Sequence, residues 1–192
     1  MRKQNLEFSD SKQIVNALAT ISEAITSDLY LEDILKLIVN VTAEVMGSKI
    51  CSIMLLDKNT KELVVKATQS VSENYNKKPN IKLGEGIAGR VAKDKKPITV
   101  LDVRKDPRYA NIEVAKKEKL CSLLSVPLVY KKDVIGVLNC YTAKLHHFTK
   151  NEINILKSIA NQAAIVIENF RLVVESKVIK EELEARKVIE KA

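Results

Sequence analysis

Gly84-Glu85-Gly86-Ile87-Ala88-Gly89-Arg90-Val91-Ala92 decides the fold, because it spells G-x-G-x-x-G, the pattern of a dinucleotide-binding turn. That chemistry needs a buried strand before the glycines, a helix N-terminus aimed at pyrophosphate, and an acid about 20 residues further on. The preceding residues, Lys77 to Leu83, are polar and contain Pro79, and the nearest acids, Asp102 and Asp106, lie 13 and 17 residues past Gly89. The motif therefore reads as turn geometry that opens a short helix, to about Lys93, and lets it pack closely on a sheet.

Hairpins flank this stretch, not the strand–helix–strand units of a doubly wound sheet. Upstream, Ile50-Cys51-Ser52-Ile53-Met54-Leu55-Leu56 is closed by Asp57-Lys58-Asn59-Thr60 and answered by Glu62 to Ala67. Downstream, Leu120 to Tyr130 and Val134 to Tyr141 form a second hairpin across Lys131-Lys132-Asp133. Residues 71–82 read as a polar loop, Ile98-Thr99-Val100 as an extended piece, and 102–109 as turns centred on Asp106-Pro107. A short helical stretch spans about 111–118. In front stand two amphipathic helices. The first, 9–27, carries Ile14, Leu18, Ile21 and Ile25; the second, about 31–46, carries Leu31, Ile34, Leu35, Ile38, Val41 and Val45, with Gly47 at its C′ position. The order α-α-β-β-α-β-α-β-β predicts an α+β chain, a sheet packed against helices.

From Thr149 one helical pattern runs to the end, about 44 residues or roughly 66 Å. Its seam, Ile153, Leu156, Ala160, Ala163, Ile167, Phe170 and Val174, has 3-4 spacing, then lands on Lys177 and Glu181 and fails. Two explanations compete, packing of its first half on its own domain and pairing with a second chain, and both are expected: a helix that outruns its domain with such a seam predicts a homodimer, with coiled-coil-like pairing of Ile14, Leu18, Ile21, Ile25, Ala163, Ile167, Phe170 and Val174.

Composition bounds the chemistry. Of 192 residues, 46% are hydrophobic and 29% charged, which excludes a mostly disordered chain. Five Tyr, three Phe and no Trp argue against a platform that stacks single-stranded bases. The longest apolar run, Ala163 to Ile167, cannot span a bilayer, and the start leads into no secretory h-region. Cys51, Cys121 and Cys140 are an odd number with no close pair in sequence, each inside an apolar strand, and read as core thiols in a reducing cytoplasm. His146-His147 read as surface residues, with no metal-ligand spacing to the cysteines. No P-loop, G-x-S-x-G or H-E-x-x-H occurs, so no catalytic constellation is visible. The net charge is +8, and residues 58–105 hold twelve basic against five acidic residues, a local field that would attract an anion.

Taken in order, these segments resemble a GAF domain, the small-molecule sensor module of signalling proteins, over about residues 28–172. The likeness rests on Cys51 to Asp57, on Gly84 to Ala92, and on Pro97-Ile98 through Asp102-Val103 to Asp106-Pro107-Arg108-Tyr109. It continues in Ser122-Leu123-Leu124-Ser125-Val126-Pro127-Leu128, Val134-Ile135-Gly136-Val137-Leu138 and Phe148-Thr149. The resemblance implies a GAF-like central antiparallel sheet with helices on both faces and a long C-terminal helix. The first and last helices would share one face, and a ligand cavity would lie on the other, under residues 71–118. Its expected lining is Ser52, Met54, Tyr109, Asn111, Ser122 and Leu124, with Arg90 or a loop lysine meeting an anionic group. The family's cyclic-nucleotide set N-K-F-D-E cannot be placed here, and the roof has no bilin-attaching cysteine. Ala88 stands where the free methionine sulfoxide reductases of the family carry a cysteine beside the glycine motif.

Residues 182–192, Glu-Leu-Glu-Ala-Arg-Lys-Val-Ile-Glu-Lys-Ala, look like the opening of an ANTAR domain, the helical RNA-binding module of bacterial antiterminators. The resulting expectation has three parts: a dimerisation helix (1–27), a sensor domain (28–172), and a signalling helix (173–192) that begins a truncated ANTAR-like module. The function expected is a non-catalytic cytoplasmic sensor of a signal-transduction or antitermination regulator. It would bind an unidentified small ligand, with an anionic group favoured, act without a membrane, and meet RNA only through a missing C-terminal module. No cofactor is named by the sequence. The alternative is a thiol redox enzyme of the free methionine sulfoxide reductase type.

Overall fold

In the computed structural model, which describes residues 2–23, 30–70 and 72–189, the two hairpins become the centre of one sheet. The elements are α1 (Arg2–Glu23), α2 (Leu31–Met46), β1 (Ile50–Leu56), β2 (Glu62–Thr68), α3 (Glu73–Asn76) and β3 (Ile81–Lys82), then α4 (Gly86–Asp94), β4 (Ile98–Val100), α5 (Ile112–Lys117), β5 (Leu123–Tyr130), β6 (Asp133–Tyr141) and α6 (Lys150–Ile189). The strands lie in the order β3-β2-β1-β6-β5-β4, every neighbouring pair antiparallel.

Local chemistry sets the element ends. Gly47, left-handed at φ 55°, ends α2. Its N–H reaches the Glu44 carbonyl and the Ser48 N–H the Ala43 carbonyl, a Schellman closure that satisfies two carbonyls at the helix end. Thr149 and Glu152 form a reciprocal capping box at the start of α6: the Glu152 N–H donates to Thr149 Oγ1 (3.2 Å) and the Thr149 N–H to Glu152 Oε2 (2.7 Å). The glycine motif works as backbone geometry. Gly84 and Gly86 take φ of 89° and 58°, and a Cβ on Gly89 would sit 2.3 Å from the Lys82 carbonyl oxygen.

Strand alternation divides the interior into two layers. Cys51, Ile53 and Leu55 of β1, Leu124, Val126 and Leu128 of β5, and Leu138 and Cys140 of β6 meet α1, α2 and α6. Ile50 and Met54, Leu123, Val137 and Tyr141 meet α3–α5 and their loops on the opposite face.

Three expectations are corrected. Residues 71–82 are not a plain loop but carry α3 and the two-residue strand β3, elements too short to leave any periodicity in sequence. The second hairpin starts at Leu123 rather than Leu120. The seam of α6 is spent inside its own chain: Leu156, Ala160, Ala163 and Ile167 are fully buried, Phe170 packs against the same core, and only Val174 is exposed. Ile21 is likewise fully buried, Ile14 and Leu18 are half-buried, and Ile25 lies outside the described residues. Because α6 lies along β5 and also meets α1 and α2, its a/d stripe is covered within its own chain. An outward set remains on α6 past the sheet: Leu172, Val173, Val174, Val178, Ile179 and Leu183 are 42–57% exposed.

Gly89→Ala is expected to lower stability by about 2–4 kcal/mol, read as a shifted urea midpoint, because backbone rather than a flexible side chain blocks the new methyl. An unchanged midpoint would show that α4 can lift from β3 without loss.

Candidate functional site

On the face away from α6, three polar side chains stand in register across the middle of the sheet. Ser52 of β1 pairs with Asn139 of β6, which pairs with Ser125 of β5. All three are buried, at 1% exposure or less. Ser52 is satisfied by the Tyr75 hydroxyl of α3 at 2.9 Å. Ser125 Oγ and both amide atoms of Asn139 have no hydrogen-bond partner. A buried polar group left unpaired costs about 1–3 kcal/mol, so this row asks for something to bind.

What covers it is a hollow floored by Met54, Leu123, Asn139 and Tyr141 and roofed by Lys78, Ile81, Ile87, Ala88 and Tyr109–Asn111. Its cavity volume is about 10 Å³. That is room for about one water, so anything larger enters only as the roof moves.

Three tyrosines brace the roof to the floor. Tyr109 donates from its hydroxyl to that of Tyr141 at 3.1 Å, and Tyr75 and Tyr109 each meet the Tyr141 ring edge-on, at 6.0 and 6.3 Å. Burial pushes all three phenols above their ordinary range. Two D-x-R turns stiffen the strap leading to Tyr109: Asp102 accepts from the backbone N–H and guanidinium of Arg104, and Asp106 from those of Arg108. The guanidinium partners hold both carboxyls below their usual range.

Lys78 supplies the charge. It is 7% exposed, lies with Nζ 4.0 Å over the Tyr75 ring, and has no ion pair or hydrogen bond among the described residues. Burial pushes its ammonium down to about 7; the ring face beneath it returns part of the lost hydration. A lysine that has given up water without gaining a carboxylate beside unpaired Asn139 forms a site suited to an anion with a hydrogen-bonding edge.

Of the residues expected to line the cavity, Met54, Tyr109 and Asn111 do so, and Ser52 sits on the same face through Tyr75. Leu124 does not: its parity on β5 turns it to the helix side, and Leu123 takes its place. Ser122 braces loops instead, donating to the Leu101 carbonyl (2.6 Å) and accepting from the His146 N–H (2.8 Å). Arg90 is exposed, because Ile87, Ala88, Val91 and Ala92 take the buried side of α4. Lys78 is a lysine of the 71–82 segment, expected there by type but not by number, and Tyr75, Ser125, Asn139 and Tyr141 were missed. A signal for the central row existed: Ser52, Ser125 and Asn139 are each a lone polar residue inside an apolar strand.

No cysteine lines the hollow. Cys51 and Cys140 face the helices, and Cys121 donates to the Ala143 carbonyl at 3.2 Å. His146 bonds Glu152 at 2.7 Å, and no group of three His, Cys, Asp or Glu among the described residues could hold a metal. No helix among them is long and apolar enough to cross a membrane.

An antiparallel sheet with a helical layer behind it and a small roofed hollow in front defines the class of α+β module to which GAF domains belong. The family description of the GAF domain matches residues 29–168, and the chain belongs to that family. It is similar to the GAF domain of a phosphoenolpyruvate-protein phosphotransferase from Coxiella burnetii, at 26% identity and TM-score 0.74, covering 85% of this chain and 98% of that one. Among curated proteins it is 25% identical over 159 residues to a phosphoenolpyruvate-dependent phosphotransferase system protein of Escherichia coli, covering 83% of this chain and 21% of that protein. It is also 27% identical over 165 residues to a methyl sulfide methyltransferase-associated sensor of Methanosarcina acetivorans, covering 83% of this chain and 16% of that protein. The chain thus spans about a fifth of the length of the curated relatives it matches. A free methionine-R-sulfoxide reductase of Neisseria meningitidis, 22% identical with TM-score 0.70 over 83% of this chain and 91% of that one, shares the fold. Relatives in this family serve as sensor and regulatory domains.

Lys78→Met should stabilise the empty protein by about 2–4 kcal/mol near pH 6. The folded ammonium titrates below its unfolded value, so the unfolded chain holds the extra proton between about 7 and the ordinary lysine value of 10.5. The Lys78 penalty is therefore full below about pH 7 and fades as pH rises towards 10. Urea midpoints of both proteins across that range check it; a gap that widens with pH would refute it.

Proposed function

We propose that this chain is a non-catalytic sensor that binds a small anion in the hollow beneath α3–α5 and passes occupancy to α6. The observation that carries this is the coincidence, in one hollow, of an unpartnered ammonium at Lys78 and an amide at Asn139 with neither atom satisfied. A ligand supplying a carboxylate or phosphate to Lys78 and a donor–acceptor edge to Asn139 would relieve both costs at once. Ser52 would join through Tyr75. Because the hollow now holds about one water, the bound state must have its roof displaced, and that difference is what a ligand can select.

The output side of the proposal is a homodimer built on α6. The free half of α6 exposes Leu172 and Ile179, which with Ile165 (40% exposed) stand seven residues apart on one face. Such a stripe suits a second copy of the same helix. This replaces the inward seam as the pairing surface. Residues 182–192 support a narrower reading, an RNA-binding antiterminator module attached to this helix; they lie outside the family match, which ends at residue 168. The thiol-reductase alternative is disfavoured by Ala88 in the roof and by three cysteines that all lie away from the hollow.

Native mass spectrometry of the purified protein, followed by thermal-shift titration with small carboxylates and phosphate esters, tests the proposal. A dimer that retains or binds such an anion is expected. Affinity should weaken about tenfold per pH unit above about 7, as the empty site's Lys78 loses its proton, and Lys78→Met should lose both the affinity and that slope. A monomer indifferent to every anion, with Lys78→Met behaving identically, overturns it.

A further inference from the structure

The helix-side face of the sheet holds a pair of groups that sensing does not use. Cys51 of β1 and Cys140 of β6 stand opposite one another in register, both fully buried, with their Sγ atoms 2.9 Å apart. That is closer than unbonded sulfurs pack and within about 1 Å of a covalent disulfide.

The backbone around them suits the bond. The Cys51 N–H donates to Gln69 Oε1 at 3.1 Å, and its carbonyl accepts from the Gln69 N–H at 3.4 Å. Both backbone groups thus point to the β2 side. Towards β6, Cys51–Cys140 is a non-hydrogen-bonded pair, the kind in which facing Cα atoms lie about 4.5 Å apart and side chains come closest. That separation falls inside the range of about 4.4–6.8 Å over which a disulfide forms without moving the chain. Cys121 belongs to neither strand and bonds the Ala143 carbonyl, so it is a built-in control.

We propose that Cys51 and Cys140 are a two-electron redox site that closes to a reversible cross-strand disulfide. With a peroxide as oxidant, two S–H bonds break, one S–S bond forms, and hydrogen peroxide is reduced to two waters. With a diazene such as diamide, the two thiol hydrogens and two electrons pass to the N=N bond and give the hydrazine. Burial pushes the Cys140 thiol up, which keeps the thiolate scarce. Oxidation therefore follows opening of the helical layer and is slow, so the pair reports prolonged rather than brief oxidant exposure. The bond would lock the two strands one residue from Ser52 and Asn139, the register pair on the opposite face. It stands independently of any ligand in the hollow.

The test is diamide treatment of the folded full chain, then unfolding, alkylation, intact mass and peptide mapping. The expected product has lost two hydrogens, carries one linked peptide pair containing Cys51 and Cys140, and leaves Cys121 alkylated. Dithiothreitol should restore three alkylatable thiols, and the oxidised form should melt about 5–10 °C higher, because the bond closes a long loop. Cys121→Ala should still crosslink; Cys51→Ala and Cys140→Ala should not. Three free thiols after oxidation of the folded chain, a link through Cys121, or a bond formed only in unfolded protein each overturn the proposal.

Discussion

The register of β1 against β6 is the constraint from which the rest of the molecule follows. Sheet periodicity is two, so a slip of one residue would exchange the two faces of the strand. Cys51, Ile53 and Leu55 would leave the helical layer for the hollow, and Ser52 and Met54 would be driven against α2 and α6. One glycine fits this register: a Cβ on Gly136 would stand 2.3 Å from the Met54 carbonyl oxygen, so the approach of β6 to β1 at that position leaves no room for a side chain. The same pairing sets Ser52 beside Asn139 on one face and Cys51 beside Cys140 on the other. The polar floor and the thiol pair are two consequences of a single alignment.

That alignment leaves a conflict in the interior. The other buried polar side chains, Thr42, Ser52 and Ser122, have hydrogen-bond partners, yet Asn139 and Ser125 are buried with none among the described residues and Lys78 is desolvated beside Asn139. An apolar residue at any of these positions would stabilise an empty domain. Unrelieved cost at and beside one hollow, with none in the helical layer among the described residues, is what the proposed binding function would require. The tyrosine braces and the two D-x-R turns hold that costly arrangement shut in the empty state.

Much of the architecture was legible because it depends on local chemistry. Gly47 predicted the end of α2, Thr149 the start of α6, and the apolar runs around Asp57 and Lys131 the two hairpins. The glycine motif was read correctly as close packing because the residues before it could not form a buried strand. Features that depend on which face meets which layer were not legible. Leu124 and Leu123 are equally good floor residues in sequence, and only the position of α6 decides between them. Lys78 looked like one more surface lysine in a basic segment, since no local pattern says that α3 will fold its ring beneath the ammonium. Cys51 and Cys140 lie 89 residues apart and meet only through the sheet.

The long helix shows how one pattern can serve two partners, of which its own sheet takes the first half. The 3-4 spacing from Ile153 to Phe170 is real, but a stripe of that width serves equally to cover a sheet, and β5 claims it first. The distinction matters for signalling. Since α6 packs along the back of β5 while Leu123 of the same strand floors the hollow, the proposed roof movement, pressing on Leu123, would reach α6 across the thickness of one strand. Had the seam been spent on a second chain, the sheet would have had no grip on the helix, and pairing would have been fixed whatever the hollow contained. With the inward stripe bound to β5 and the outward Leu172–Ile179 face exposed, the proposed sensor would use the position of the sheet to govern how that face is presented.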